Sequence, residues 1–280
     1  MKKILVPTDF SEAANNAAEY AVLLAKEIKA KVILFHIYHV PVPSTEVPII
    51  SISSAEIQKE SEILLRKKVA QLKKHAPVEI SYIARLGMAV DEIIEEEKKA
   101  DLIIMGMRNV SKISEFLFGS ITTATIRKTN TPVLVIPQNV KFKAPKKIVF
   151  SCDYNPENNY DTIETITELI KVFHSKLFVL NIKENKEVVS IEEAGSGLRL
   201  ESKLNNVPHV YHFSENEDLI EGINKFVKEK KADMVVLIPH KHNLLERLFH
   251  KSISKNMAFH TNVPMLTLPE KHKNIPAYFL

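Results

Sequence analysis

The chain holds a single cysteine, Cys152, among its 280 residues, so no intramolecular disulfide can form. It has no run approaching the ~20 apolar residues of a membrane span. The apolar stretch after Met1-Lys2-Lys3 is too short for a signal-peptide core and soon meets Asp9 and Glu12. A cytoplasmic protein without a membrane partner is expected. No block of one charge occurs either: the formal net charge is +4, and lysines are interspersed with glutamates, as in Glu95-Glu96-Glu97-Lys98-Lys99. That pattern solvates a surface, whereas nucleic acid calls for clustered basic residues, so no nucleic-acid partner is expected. Glycines number only six. Gly195-Ser196-Gly197 lacks the third glycine and the preceding strand of a dinucleotide motif and reads as a helix interruption. His240 and His242 have neither a cysteine nor a third ligand at metal spacing, which makes them surface histidines. Cys152 reads as a buried, inert thiol, and His36 as a satisfied crevice residue.

What is present is an ordinary globular composition, 45% hydrophobic and 26% charged, arranged as an internal repeat. Lys98-Lys99-Ala100-Asp101 recurs as Lys230-Lys231-Ala232-Asp233. In the same register Ser120-Ile121 meets Ser252-Ile253, Thr129-Asn130 meets Thr261-Asn262, and Pro132 and Pro137 meet Pro264 and Pro269. Lys3 to Asp9 resembles Lys147 to Asp153 at a longer offset, so the second copy is shorter by about a dozen residues. Their expected source is the Pro-rich stretch Pro41 to Ser54. Two domains are expected, 1–140 and 145–280, with the polar, proline-ended Gln138 to Pro145 as the link.

Within the first copy, strand-like runs at Ile4–Val6, Lys31–Ile37, Val78–Ala84, Leu102–Met105 and Val133–Ile136 alternate with helical patterns at Ala13–Lys29, Ser54–Lys74, Val90–Lys99 and Ser120–Lys128. Such alternation implies parallel pairing, right-handed crossovers and helices on both faces. The expected fold class is α/β, two tandem doubly wound parallel sheets of about five strands each. Ligands of such sheets bind outside the carboxyl ends of the strands where strand order reverses. Here that is the region of Asp9, Ile37 and Met105.

The segment after Met105 reads Gly106-Met107-Arg108-Asn109, then nine residues, then Gly119-Ser120-Ile121-Thr122 opening a helix. Gly106 would let backbone approach a ligand, and Gly119 would give a sharp turn with accessible amides. The first-turn N–H groups, with the Ser120 and Thr122 hydroxyls, would seat an anion, and Arg108 would add a cation. This spaced loop, with the opening turn Pro7-Thr8-Asp9-Phe10-Ser11, resembles the universal stress protein family over nearly the whole chain, as a tandem of two units. The family's ATP-binding branch carries Gly-x2-Gly-x9-Gly-(Ser/Thr) here. Gly106, Gly119 and Ser120 match it. Asn109 replaces the second glycine, and its tolerance of a left-handed backbone is expected to keep the loop's shape.

The resemblance implies an adenine nucleotide alpha hydrolase-like fold and a site built from Pro7, Thr8, Asp9, Ile37, Met105, Gly106, Arg108, Asn109, Gly119, Ser120, Ile121 and Thr122. Asp9 would lie by the ribose and the Mg-bound phosphates, and Ile37 and Met105 by the adenine. In the second copy Ile238, Lys241 and Lys251 stand where Gly106, Asn109 and Gly119 stand in the first, so that site reads as degenerate. The expected function is a stress-response regulatory protein binding ATP or a related adenine nucleotide, without dedicated catalysis. Next in order come a nucleotide-free scaffold and a slow ATPase. For the last, no water-orienting residue beyond Glu115 stands out in the loop. Each copy ends in a proline-bounded apolar strand at a sheet edge, the edge through which members of the resembled family dimerise. Antiparallel pairing of Val133–Ile136 with Met265–Leu268, an intrachain pseudo-dimer, is therefore expected, with a homodimer left open.

Overall fold

The structure, a computed structural model, describes residues 1–39, 53–110, 115–117, 119–154, 160–183, 190–238 and 262–269. The first half runs β1 (Lys3–Pro7), α1 (Glu12–Ile28), β2 (Lys31–Tyr38), α2 (Ser54–Leu72), β3 (Ile80–Leu86), α3 (Ala89–Glu96), β4 (Leu102–Val110), β5 (Glu115–Leu117), α4 (Ser120–Lys128) and β6 (Val133–Pro137). The second runs β7 (Lys147–Ser151), α5 (Glu164–Phe173), β8 (Lys176–Lys183), α6 (Ile191–Leu204), β9 (His209–Glu215), α7 (Leu219–Lys230), β10 (Met234–Leu237) and β11 (Met265–Thr267).

Local chemistry explains these elements. Residues Ile4 to Val6 are wholly buried, as strands covered on both faces must be. The Ser11 hydroxyl caps α1 by accepting from Ala14 N at 3.3 Å, and Lys29 closes the helix in the left-handed region. Between them, buried Ala14, Ala17, Ala18, Ala21 and Ala25 let α1 lie close to the sheet. A full capping box, Ser53 with Glu56, opens α2, and Ser190 with Glu193 repeats it on α6. The Lys-Lys-Ala-Asp repeat has a plain role: Asp101 accepts from the amides of Lys2 and Lys3, and Asp233 from those of Lys146 and Lys147. Each aspartate satisfies the start of its half's first strand.

The strands form one 11-stranded sheet in the order β3-β2-β1-β4-β6-β11-β10-β7-β8-β9, with β5 paired to β4 off that path. Within each half the main ladders are parallel, and order reverses between the first strand and the fourth. Helices cover both faces: α1, α2 and α5 pack on one apolar cluster, α3, α4 and α7 on the other. The halves meet at β6 and β11, which pair antiparallel with Met265 opposite Val135, Leu266 opposite Leu134 and Thr267 opposite Val133.

Five details depart from the sequence reading. One is that α6 runs unbroken through Gly195-Ser196-Gly197, where an interruption was expected. The first half has six strands, because β4 continues through Gly106 to Val110 and folds back on β5, with Asn109 opposite Phe116. The link is more than a polar spacer: Phe142 packs edge-on against Tyr20 of α1 and also meets Phe173 of α5, and both apolar clusters run across the two halves. The charged helix after Ala89 stops at Glu96 and tightens into a 3-10 turn over Glu97–Lys99. Lastly, the second half's shortening is divided. The buried stripe Ser61, Leu65, Val69, Leu72 of α2 repeats as Ser196, Leu200, Leu204, Val207. Residues are missing both before that stripe and between it and β9.

Val133 to Ile136 of β6 are all 0% exposed. A fragment comprising residues 1–140 loses β11 and bares this edge, whose unpaired amides and carbonyls template another strand. It should form homodimers, and light scattering showing a monomer at tens of micromolar would count against this.

Candidate functional site

The turn after β1 is held from several directions. Thr8, 6% exposed, donates its N–H to Phe35 O at 2.8 Å, and its own carbonyl accepts from His36 Nδ1 at 2.8 Å. Phe10 sits at φ +61°, an unusual backbone for a bulky residue. Three contacts keep it there: its N–H bonds Thr8 Oγ1 at 3.0 Å, Asn15 Nδ2 bonds its carbonyl at 2.8 Å, and its ring packs on His36 with centroids 4.6 Å apart. Asp9, displayed at the surface by this turn, accepts from Ser11 N at 3.0 Å and from Arg108 at 2.9 Å. Burial pushes its carboxyl up, but the Ser11 hydrogen bonds and the Arg108 guanidinium outweigh that and hold it below its ordinary range. Asp9 is therefore ionised at neutral pH.

The second half repeats the turn. Tyr154 takes Phe10's place at φ +53°, its N–H facing Cys152 Sγ at 3.5 Å, and Asn181 Nδ2 donates to Cys152 O at 2.9 Å as His36 does to Thr8. Cys152 is thus the counterpart of Thr8. Burial pushes its thiol up to about 11, which accounts for an inert side chain.

The other sequence-picked residues lie on β4, on α4 and at the end of β2. Met105 is buried, 5% exposed, in the cluster of α3 and α4, against which the half-buried Ile37 also packs. Gly106 pairs with Ile136 within the sheet. A Cβ built on it would fall 2.3 Å from Ala13 O and 2.9 Å from Ala14 N. The close backbone of α1 is thus reason enough for glycine here, a cause the sequence reading did not include. The reading of Asn109 is corrected: it belongs to the extended β4–β5 hairpin, not to a left-handed loop. Arg108, opposite Leu117 in that hairpin, reaches back to Asp9. Gly119, at φ −60° and ψ 148°, is the N-cap of α4 and supplies no side-chain cap, and a Cβ there would meet none of the described residues within 4 Å. Ser120 and Ile121 are exposed beside it. Thr122 is 4% exposed and turned inward, so its hydroxyl does not share the open face with Ser120.

In the second half Ile238, counterpart of Gly106, is 3% exposed, and α5 starts only at Glu164 after a 3-10 turn at Tyr160–Ile163. Lys241, Lys251, His240 and His242 lie outside the described residues. Among the described residues no group of three or more His, Cys, Asp or Glu is placed to hold a metal, and no helix is long and apolar enough to cross a membrane.

Comparison with known proteins agrees with this architecture. Universal stress protein MJ0531 of Methanocaldococcus jannaschii is 34% identical over 155 residues, 52% of this chain and 84% of its own length. Universal stress protein G of Escherichia coli is 31% identical over 145 residues, 48% of this chain and 98% of its own. In fold, the chain is similar to a universal stress protein from Archaeoglobus fulgidus with a TM-score of 0.75, at 18% identity, covering 96% of this chain and 98% of that one. The Universal stress protein family profile matches twice, at residues 1–137 and 145–269. The chain belongs to the universal stress protein family, with two tandem copies of its fold.

Proposed function

We propose that the chain is a stress-response regulatory protein that binds ATP or a related adenine nucleotide in its first half. Gly119 carries the reading. Neither its backbone angles nor the described residues around it require glycine, yet it stands at the start of α4 without a side-chain cap. The first-turn amides of a helix lack intrahelical partners and attract phosphate. A glycine that leaves them uncovered is accounted for by such a ligand. Arg108 supplies the nearby cation, and Asp9, Ile37 and Met105 would face ribose and base at the reversal of strand order.

Asp9 is the carboxylate of this turn and Arg108 already pairs with it, which falls short of the ligand count of a protein-built Mg site. Mg would enter on the phosphates, with Asp9 beside it. The nucleotide's own chemistry is its charge and ring system, and the chain's part is to hold them. No catalysis is assigned. The alternative, a nucleotide-free scaffold, draws on the same pair, since Arg108 is satisfied without a ligand. Calorimetry with ATP and Mg on the full chain decides between them. One nucleotide per chain is expected, because Ile238, Lys241 and Lys251 stand in the second half where Gly106, Asn109 and Gly119 stand in the first. Two equivalent sites, or no heat of binding, would sink the proposal.

A further inference from the structure

A cavity of about 370 Å³ opens in the second half, between α6 and the carboxyl ends of β8 and β9. Its walls are Tyr154, Tyr211, Phe213 and Leu198, and the last two are 70% and 72% exposed. A contiguous exposed apolar surface of this kind marks a binding site more often than a bare exterior.

The matching place in the first half is filled. With the buried stripes of α2 and α6 in register, Arg66 and Glu201 are counterparts, and each bonds the tyrosine hydroxyl of the following strand, Tyr82 or Tyr211. In that register Gly197 stands for Glu62 and Ala194 for Lys59. Across the sheet His36 pairs with Ala84 in the first half and Asn181 with Phe213 in the second, so Asn181 stands for His36. Three side chains around one point have shrunk, and Tyr154 has lost the ring on which its counterpart Phe10 packs. At the rim an alanine has become Phe213.

Nothing in the backbone asks for Gly197. It is helical, and a Cβ there would meet the Tyr154 ring at 3.9 Å, an ordinary contact. Glycine is a poor helix former, so α6 gives up helix propensity where alanine would fit, and what it gains is open space. Asn181 adds the polar element. It is 2% exposed and lines the cavity, and its one hydrogen bond among the described residues goes to Cys152 O. Its amide oxygen and second N–H are left for a ligand. The neighbouring charges are spent on partners, Lys183 on Glu193 at 3.3 Å and Glu201 on Tyr211 and His209.

We propose that this cavity is a second ligand site, taking a small uncharged molecule with a flat apolar ring system and one hydrogen-bonding group directed at Asn181. Cavities of this size and lining are typical of small-molecule sites.

N-phenyl-1-naphthylamine, uncharged and brightly fluorescent only out of water, tests this on the full chain. A saturable rise at one dye per chain is expected. Gly197→Leu should weaken it by about tenfold or more while the melting temperature holds or rises, since leucine is the better helix former. Gly119→Asp, distant in the first half, should leave dye binding as it is. If Gly197→Leu does not fold, Ala194→Leu on the same wall gives the same reading. No saturable signal from the unaltered chain, or wild-type affinity in a folded Gly197→Leu, would overturn the site. Preference for a straight-chain alcohol over the dye would overturn the ring assignment.

Discussion

Gly119→Asp should abolish nucleotide binding and at the same time make the protein more stable. The two effects have one cause. An aspartate at the N-cap of α4 turns its own carboxylate onto the first-turn amides and complements the positive end of the helix. That is worth about 0.5–1 kcal/mol relative to glycine. The added Cβ would meet no described residue within 4 Å, so it disturbs no packing among them. A phosphate would find the amides taken and a fixed negative charge in its way. The expected loss of ATP affinity is at least a hundredfold, about 2.7 kcal/mol. Calorimetry and thermal unfolding read both halves of the result. A stabilised variant that binds ATP like the parent would mean that α4 is not the phosphate seat.

Gly106→Ile tests the other glycine of the same motif, with the opposite expectation. Here the new Cβ would meet Ala13 O at 2.3 Å and Ala13 C at 2.4 Å, and no rotamer relieves a clash with backbone. Either the start of α1 or the end of β4 has to move. Overpacking typically costs 1–3 kcal/mol, and with rigid neighbours about 3 kcal/mol or more is expected here. Displacing the start of α1 also loosens the Ser11 cap and the Asn15 bond that holds Phe10, so the Asp9 turn should degrade with it. Urea unfolding within about 0.5 kcal/mol of the parent would show that the contact yields easily. The second half already carries isoleucine at the matching position, with its helix beginning later.

Much of the fold could be read before the structure. The apolar runs at Ile4–Val6 and Lys31–Ile37 are strands because both faces of a parallel sheet are covered. The Lys-Lys-Ala-Asp repeat marked equivalent positions because Asp101 and Asp233 perform the same capping. The end of β4 was not legible: glycine and polar residues after Met105 look like a loop, and only the ladder to β5 reveals strand. Gly106 was picked for a ligand-facing reason, because sequence cannot show that the backbone of α1 lies 2.3 Å from its missing Cβ. Phe10 and Tyr154 gave no hint of a left-handed backbone, since aromatic residues rarely adopt one. The cavity beside Tyr154 was hidden because its counterparts align only once the shortened connections around α6 are known. The pairing of buried serines, Ser61 with Ser196, is the signal from which that register could have been drawn.

The antiparallel seam between β6 and β11 has a directional consequence. All the main-ladder strands of the first half run with β6, and all those of the second run with β11. The carboxyl ends of the two sets therefore lie at opposite rims of the shared sheet, and the two mouths of the molecule face away from each other. Occupants of the two mouths never touch, so any influence of one on the other has to pass through the sheet. The same separation frees each mouth to change alone, which is how one copy can carry Ile238 and open a pocket beside Tyr154 while the other keeps Gly106 and Gly119.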